Sequence, residues 1–289
     1  MKLPAPLLVL TSIASVQVGS AVARNLFDDL GAAGVTLLRL AIAALVLAVA
    51  ARPRVRGWSG AAWRAAALLG VVMAVMNLVF YLALRTVPLG TAVTVEFLGP
   101  LGLALVQTRR VRDLLWALLA AAGVALLGLG SGGAAPLGGL ALALIAGLCW
   151  AAYIVLSARL GSLVPGTGGL AVSLAVGALL VLPFGAGGAA AVGRHPALLV
   201  GATAVALLSS VFSYGLEITA LRRIPTRVFG ILMSLEPAAA ALAGLLVLHQ
   251  HLGAVEIGAL ALVTLASAGV TLGRRERDPV PAEAVPEPV

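Results

Sequence analysis

Ala83-Leu84-Arg85-Thr86-Val87-Pro88 and Ala220-Leu221-Arg222-Arg223-Ile224-Pro225 are one hexapeptide pattern written twice, 137 residues apart. The same offset carries Pro100 onto Pro237. Each half therefore reads as an apolar run, an Ala-Leu-Arg-x-(Val/Ile)-Pro turn, a second apolar run and a proline within it. One shared hexapeptide arises by chance; a hexapeptide and a proline held in one register point to an internal duplication. The runs on either side of each turn are about 20 residues long, the length a helix needs to cross the hydrocarbon core of a bilayer.

Composition agrees with that solvent. Of the 289 residues 61% are strongly apolar before the 34 glycines are counted, and 10% are charged. A soluble domain carries roughly 45–50% apolar residues with glycine included and about 25% charged. Breaks at Pro, Gly and Arg clusters place ten spans near 5–23, 33–51, 63–84, 89–107, 113–130, 138–158, 167–184, 197–220, 226–247 and 254–273. Five spans per half is an odd number, so the second copy enters the membrane upside down. Such inverted repeats place substrate near the midplane, between the halves. The expected fold is an all-α integral membrane protein of about ten transmembrane helices, built as two inverted five-helix repeats over residues 1–132 and 133–273. Residues 274–289, rich in proline and mixed charge, read as a disordered cytoplasmic tail.

A net charge of +8 suggests nucleic acid in a soluble chain, but here the cations collect in short loops between apolar runs, which makes them a topology signal. A cytoplasmic N-terminus puts Lys2, Arg52, Arg54, Arg56, Arg64, Arg109, Arg110, Arg112, Arg159, Arg222, Arg223, Arg227, Arg274, Arg275 and Arg277 inside. Only Arg24, Arg85 and Arg194 then fall outside, with Arg39 in the membrane. Both termini are read as cytoplasmic, in a bacterial plasma membrane. Lys2 followed by an apolar stretch and Ala21-Val22-Ala23 imitates a cleavable signal. The polar punctuation at Thr11, Ser12, Ser15, Gln17 and Ser20 suits a helix facing a polar cavity better.

A charged side chain at the bilayer centre costs roughly 2.5–3.5 kcal/mol on the insertion scale, so each one needs a reason. Glu96, Glu236 and Arg39 lie well within spans four, nine and two, and Glu217 lies nearer the end of span eight. Glu236, close to mid-depth beside Pro237, is read as a proton carrier, against the alternative of a neutral or Arg39-paired strut. Glu96 sits one turn from Pro100 on the same helix face, placed to bind a substrate ammonium or to hold Arg39. Arg39 is read as structural, its guanidinium paired with a buried carboxylate. Glu217 either snorkels to the interface or gates. Pro100 and Pro237 each remove a donor inside a helix, freeing a carbonyl that binds a cation, hinges a gate or marks a packing kink.

Polar stripes at helical spacing run along other spans: Gly70, Ala74, Asn77, Tyr81; Gly147, Trp150, Tyr153, Ser157; Ser210, Ser213, Tyr214, Glu217; and Gln17, Ser20, Arg24. One stripe is weak evidence, since polar residues also join helices in bilayers. Stripes from both halves together describe a water-accessible cavity. His195, His249 and His251 fall in loops and read as solvated residues, with no metal site expected. The single cysteine, Cys149, permits no internal disulfide. The sequence has no HExxH, no GxxxxGK[ST] and no GxGxxG opening a strand-helix unit. An enzyme and a bound cofactor are therefore not expected, and uphill transport must draw on an ion gradient.

Several strings resemble one family. Ser12-Ile13-Ala14-Ser15-Val16-Gln17, Gly34-Val35-Thr36-Leu37-Leu38-Arg39-Leu40, Thr86-Val87-Pro88-Leu89-Gly90, Glu96-Phe97-Leu98-Gly99-Pro100, Pro225-Thr226-Arg227-Val228-Phe229-Gly230 and Met233-Ser234-Leu235-Glu236-Pro237 are similar to the threonine and homoserine exporters of the EamA branch of the drug/metabolite transporters. The resemblance covers residues 10–273, thins from Gly161 to Val205 and is absent in the tail. It implies two EamA repeats and export of small amino acids across the inner membrane by proton antiport. It also implies a cavity walled by spans one, three, four, six, eight and nine, which here carry Gln17, Asn77, Tyr81, Glu96, Trp150, Tyr153, Tyr214 and Glu236 as substrate-binding candidates. Glu236 and Glu96 are the candidates for proton coupling; Arg39, Pro100, Glu217 and Pro237 are the structural or gating ones. The expected partners are a small amino acid, protons and lipid, without nucleic acid and with a homodimer left open. An exporter of another metabolite or drug, or a lipid or glycan translocating factor, is the alternative.

Overall fold

A computed structural model describes residues 4–108, 113–130, 137–221, 223–224 and 226–273. Lys2, Arg109, Arg110, Arg112, Arg222, Pro225, the boundary at residues 132 and 133, and the tail 274–289 with Arg274, Arg275 and Arg277 lie outside the described residues. The described elements are helical: α1 Ala5–Asn25, α2 Phe27–Ala51, α3 Gly60–Ala83, α4 Leu89–Glu96, α5 Leu98–Thr108, α6 Asp113–Gly130, α7 Leu137–Leu163, α8 Gly168–Ala189, α9 Ala197–Ala206, α10 Ser213–Leu221, α11 Thr226–Met233, α12 Glu236–Leu248 and α13 Ala254–Gly273. Three pairs are single crossings interrupted midway: α4 with α5, α9 with α10 through a π-helical turn at Leu207–Phe212, and α11 with α12.

Ten crossings result among the described residues. Nine are long and apolar enough to span a bilayer, and α6 adds a shorter apolar rod, Leu114–Leu127. The second crossing begins earlier than its expected start at residue 33. Asp28 and Asp29 occupy a first turn, and Gly31, at φ 65 and ψ 160, then kinks the chain into the span proper. Only glycine takes that backbone conformation without steric cost. An even number of crossings returns Gly273 to the end where Pro4 begins, here called the terminal end; the opposite end is the distal end.

The two halves interleave with a two-fold logic. The second crossings of each half pack together as α2 with α8, the fourth as α4 with α12 and the fifth as α6 with α13. The first and third exchange partners, α3 with α7 and α1 with α10. Each pairing maps onto itself or its counterpart when the halves are swapped, as an inverted duplication requires. Lipid supplies no hydrophobic drive between helices, so small residues must let backbones approach. At α2 and α8 a Cβ on Gly188 would strike the Leu30 carbonyl. The largest apolar core, including Phe27, Leu30, Tyr81, Leu84, Val87 and Leu89, fills the distal half.

Candidate functional site

Two of the three interrupted crossings, α4 with α5 and α11 with α12, break beside a proline. In the first half the ladder halts at Phe97, between Phe97 N to Val93 O at 2.9 Å and Leu101 N to Phe97 O at 3.2 Å, because Pro100 has no N–H for the Glu96 carbonyl. In the second half the turn at Ser234 and Leu235 closes with Leu235 N to Leu232 O at 3.0 Å. Pro237 then lies in the first turn of α12, where a missing N–H is tolerated. The 137-residue offset superposes Phe97 on Ser234, so the two breaks share one register. Pro237 thus starts a helix rather than interrupting one, which corrects its expected place. Nor is the Glu96 carbonyl spare: a Cβ on Gly147 would collide with it, so it packs against the α7 backbone.

Between the breaks lies a cavity of about 350 Å³. Gln17, Asn77, Glu96, Trp150, Tyr153, Tyr214 and Glu236 all line it, together with Arg39, Pro100 and Glu217. It runs from mid-depth toward the terminal end, where Ala104, Phe229 and Thr271 form its rim. Tyr81 is the exception among the expected residues. Its ring is fully buried behind the wall, and its hydroxyl meets Arg39. Pro237 does not line the cavity either.

The polar atoms are organised around four charges. The Gln17 amide Nε2 donates to Glu236 Oε2, while Gln17 Oε1 is buried without a partner. Ser12 Oγ donates to Glu217 Oε1 at 2.8 Å, so Glu217 is held inside the bundle and does not snorkel to the interface. Asn77 Nδ2 donates to the Met73 carbonyl at 2.7 Å. The Glu96 carboxylate has no protein hydrogen-bond partner among the described residues, although it lines the same space.

Arg39 departs most from expectation. No carboxylate among the described residues lies within ion-pair distance of it, so the expected pairing with Glu96 or another acid is not formed. Instead Nε donates to Ser210 Oγ at 3.1 Å, Nη1 to Tyr81 Oη at 3.0 Å and Nη2 to the Ser209 carbonyl at 3.0 Å. The guanidinium carbon also sits over the Tyr81 ring, 5.6 Å from its centroid. The π-turn explains the geometry, since its wider winding turns carbonyls away from the helix ladder. Ser15 Oγ takes the neighbouring Leu208 carbonyl at 2.8 Å.

Aromatic rings supply the apolar walls. Phe97 meets Trp150 edge-on, with centroids 5.6 Å apart and planes at 76°, and Tyr153 lies 6.2 Å from Tyr214. The sequence places the tenth span but names no cavity residue on α13. Ser267 and Thr271 line the cavity, and Ser267 Oγ pairs with Ser234 Oγ at 2.9 Å across the second break. Thr264, Ser267 and Thr271 follow helical spacing and were the available signal. His195, His249 and His251 lie at the distal end, away from the cavity.

Ten crossings in two interleaved repeats around one polar mid-depth cavity define a multi-pass membrane transporter rather than an enzyme. Residues 137–272 match the EamA-like transporter family. The threonine/homoserine exporter RhtA of Salmonella typhimurium strain SL1344 is 42% identical over 281 residues, covering 95% of each chain. The protein of that name from Escherichia coli strain K12 is 40% identical over 275 residues, covering 94% of this chain and 93% of its own. The chain belongs to the EamA-like transporter family. A solved crystal structure covers 93% of this chain and 96% of its own with a TM-score of 0.62 at 20% identity, a likeness of fold alone.

Proposed function

We propose that the protein exports threonine, homoserine or a similar small amino acid across the bacterial inner membrane in exchange for protons, with both termini cytoplasmic. The observation that carries this reading is the cavity: about 350 Å³, at the lower end of ligand pockets, lined by three carboxyl groups, one guanidinium and several aromatic rings. That suits a small zwitterion better than a bulky drug. The names of the 40–42% identical relatives support the same substrate class. The two repeats, residues 1–132 and 133–273, would move against each other around the site.

Orientation follows from charge. Among the described residues Arg52, Arg54, Arg56, Arg64, Arg159 and Arg223 sit toward the terminal end and Arg24, Arg85 and Arg194 toward the distal one, which favours a cytoplasmic terminal end. The cavity then faces the cytoplasm, where an exporter loads. The distal end is shut by the apolar core, by Arg24 Nε donating to the Leu84 carbonyl at 2.9 Å and by the Leu89 amide donating to Gln250 Oε1 at 2.9 Å. Glu236 is the coupling residue in this scheme. Outward opening lets it take a proton; inward opening releases that proton, and the resulting carboxylate attracts the next substrate ammonium.

The test is uptake of labelled threonine into inverted vesicles with an acidic lumen. Protons leaving the lumen should drive threonine in, and a protonophore should abolish the accumulation. Vesicles that accumulate neither threonine nor homoserine under that gradient would sink the proposal.

A further inference from the structure

Among the described residues lining the cavity, Arg39 is the single cation, alongside Glu96, Glu217 and Glu236. It is 8% exposed and has no ion pair among the described residues. A buried charge is tolerated when it is paired and hydrogen-bonded, and neutral acceptors orient a guanidinium without neutralising it. A guanidinium carries five N–H groups. Ser210, Tyr81 and the Ser209 carbonyl take one each from Nε, Nη1 and Nη2, which leaves one N–H on each terminal nitrogen. That pair matches the two oxygens of a carboxylate.

The three occupied bonds tie α2 to two other elements. Arg39 belongs to α2, Tyr81 to α3, and Ser209 and Ser210 to the π-turn. The Tyr81 ring adds a face to the same cation. The guanidinium is therefore fixed before any ligand arrives, which lowers the ordering cost of binding. Glu96 provides the complementary half. It lines the cavity with no protein donor among the described residues, free to accept from an ammonium.

We infer that Arg39 anchors the substrate's α-carboxylate while Glu96 receives its α-ammonium, so the cavity selects free amino acids over amines that lack the carboxylate. This rests on the amino-acid reading of the cavity and assigns the charge that reading leaves unmatched. Ser210 and Tyr81 act as positioning residues. If Arg39 were only a strut tying α2 to the π-turn, it would be indifferent to the charge on the ligand.

The experiment compares labelled L-threonine with unlabelled L-threonine and L-threoninol as competitors, using the purified full-length chain. Threoninol keeps the ammonium and the hydroxyl and replaces the carboxylate with an alcohol. Wild-type protein should prefer threonine by at least about tenfold, the scale of a bidentate charge-assisted pair. Arg39→Gln should lose that preference while binding threoninol as wild type does, measured with labelled threoninol. Equal competition by the two compounds on the wild type overturns the inference without any variant, so a poorly folding Arg39→Gln does not leave it untested. A folded Arg39→Gln that still discriminates overturns it as well. Wild-type protein that binds neither compound sinks the amino-acid reading, and the anchor with it, whereas equal binding of both sinks the anchor alone.

Discussion

The two crossings broken beside a proline hold the same register but are locked by different chemistry. In the first, Gly99 and Gly147 bring the α4/α5 break and α7 together backbone to backbone, so closely that a Cβ on either would overlap the other strand of chain. In the second, a hydroxyl pair, Ser234 with Ser267 at 2.9 Å, joins the break to α13. The acids differ too. The offset that superposes the breaks sets Glu96 against Met233 and Glu236 against Gly99, so one carboxylate ends α4 and the other begins α12. The duplication preserved the scaffold and not the chemistry. The contrast assigns the first break to a rigid wall that presents Glu96, and the second to a looser joint that carries Glu236.

The largest effect should come from breaking the rigid wall. Gly147→Val places side-chain atoms where the Glu96 carbonyl lies, and neither backbone can yield without moving a whole helix. It should cost at least about 3 kcal/mol, the upper range for overpacking, and strip folded protein from the membrane. Gly138, on the same helix with open space where a Cβ would sit, is the control. Gly138→Ala should change stability by no more than about 1 kcal/mol. Fluorescence-detected size exclusion with thermal challenge reads both. A Gly147→Val protein as heat-resistant as wild type would mean that the wall is not rigid.

Next comes the division between the acids. Glu236→Gln keeps the volume and the hydrogen-bonding reach toward Gln17 but cannot carry the proton. Reconstituted protein should lose accumulation driven by a proton gradient, and its substrate binding should become nearly independent of pH. Glu96→Gln should instead weaken substrate binding by about tenfold, the cost of one charge-assisted contact, and keep a response to the gradient. If Glu236→Gln still concentrates substrate and Glu96→Gln does not, the roles are reversed.

Much of the fold was legible because lipid imposes strong rules. Span length and the repeated Pro register each followed from a physical constraint, and the breaks at Phe97 and Ser234 fall where that register puts them. The site was legible wherever a charge in the membrane demanded a reason, as with Glu96 and Glu236. It was misread where side-chain direction depends on neighbours. Tyr81 shares a stripe with Asn77, but a stripe faces the bundle without distinguishing cavity from packing. Arg39 was given an acid because a lone sequence cannot reveal a π-turn that presents the Ser209 carbonyl instead. For Glu217 the sequence leaves snorkelling and gating open, and Ser12 on another helix, which holds it inside, removes the first. The hydroxyls of α13 carry no charge and so raised no question.

The finest distinction lies between the prolines themselves. Alanine at 100 returns one N–H opposite the Glu96 carbonyl, but Gly147 already packs against that oxygen and Gly99 keeps the helices in contact, so the break should persist. Alanine at 237 meets less resistance. The second break is held by a hydroxyl pair worth about 1 kcal/mol, and a restored N–H there favours one continuous helix through Ser234 and Leu235. Each variant should change stability by about 1 kcal/mol or less, since exchanging Pro for Ala at a permissive site acts mainly through the unfolded chain. Their transport rates should differ more than their melting temperatures. Pro237→Ala stiffens the joint that carries Glu236 and should slow turnover several-fold, whereas Pro100→Ala leaves a wall that does not move and should run near the wild-type rate. Exchange rates in proteoliposomes, measured without a gradient, isolate the conformational step from coupling. A slow Pro100→Ala beside a normal Pro237→Ala would assign the motion to the first break and invert the comparison between the halves.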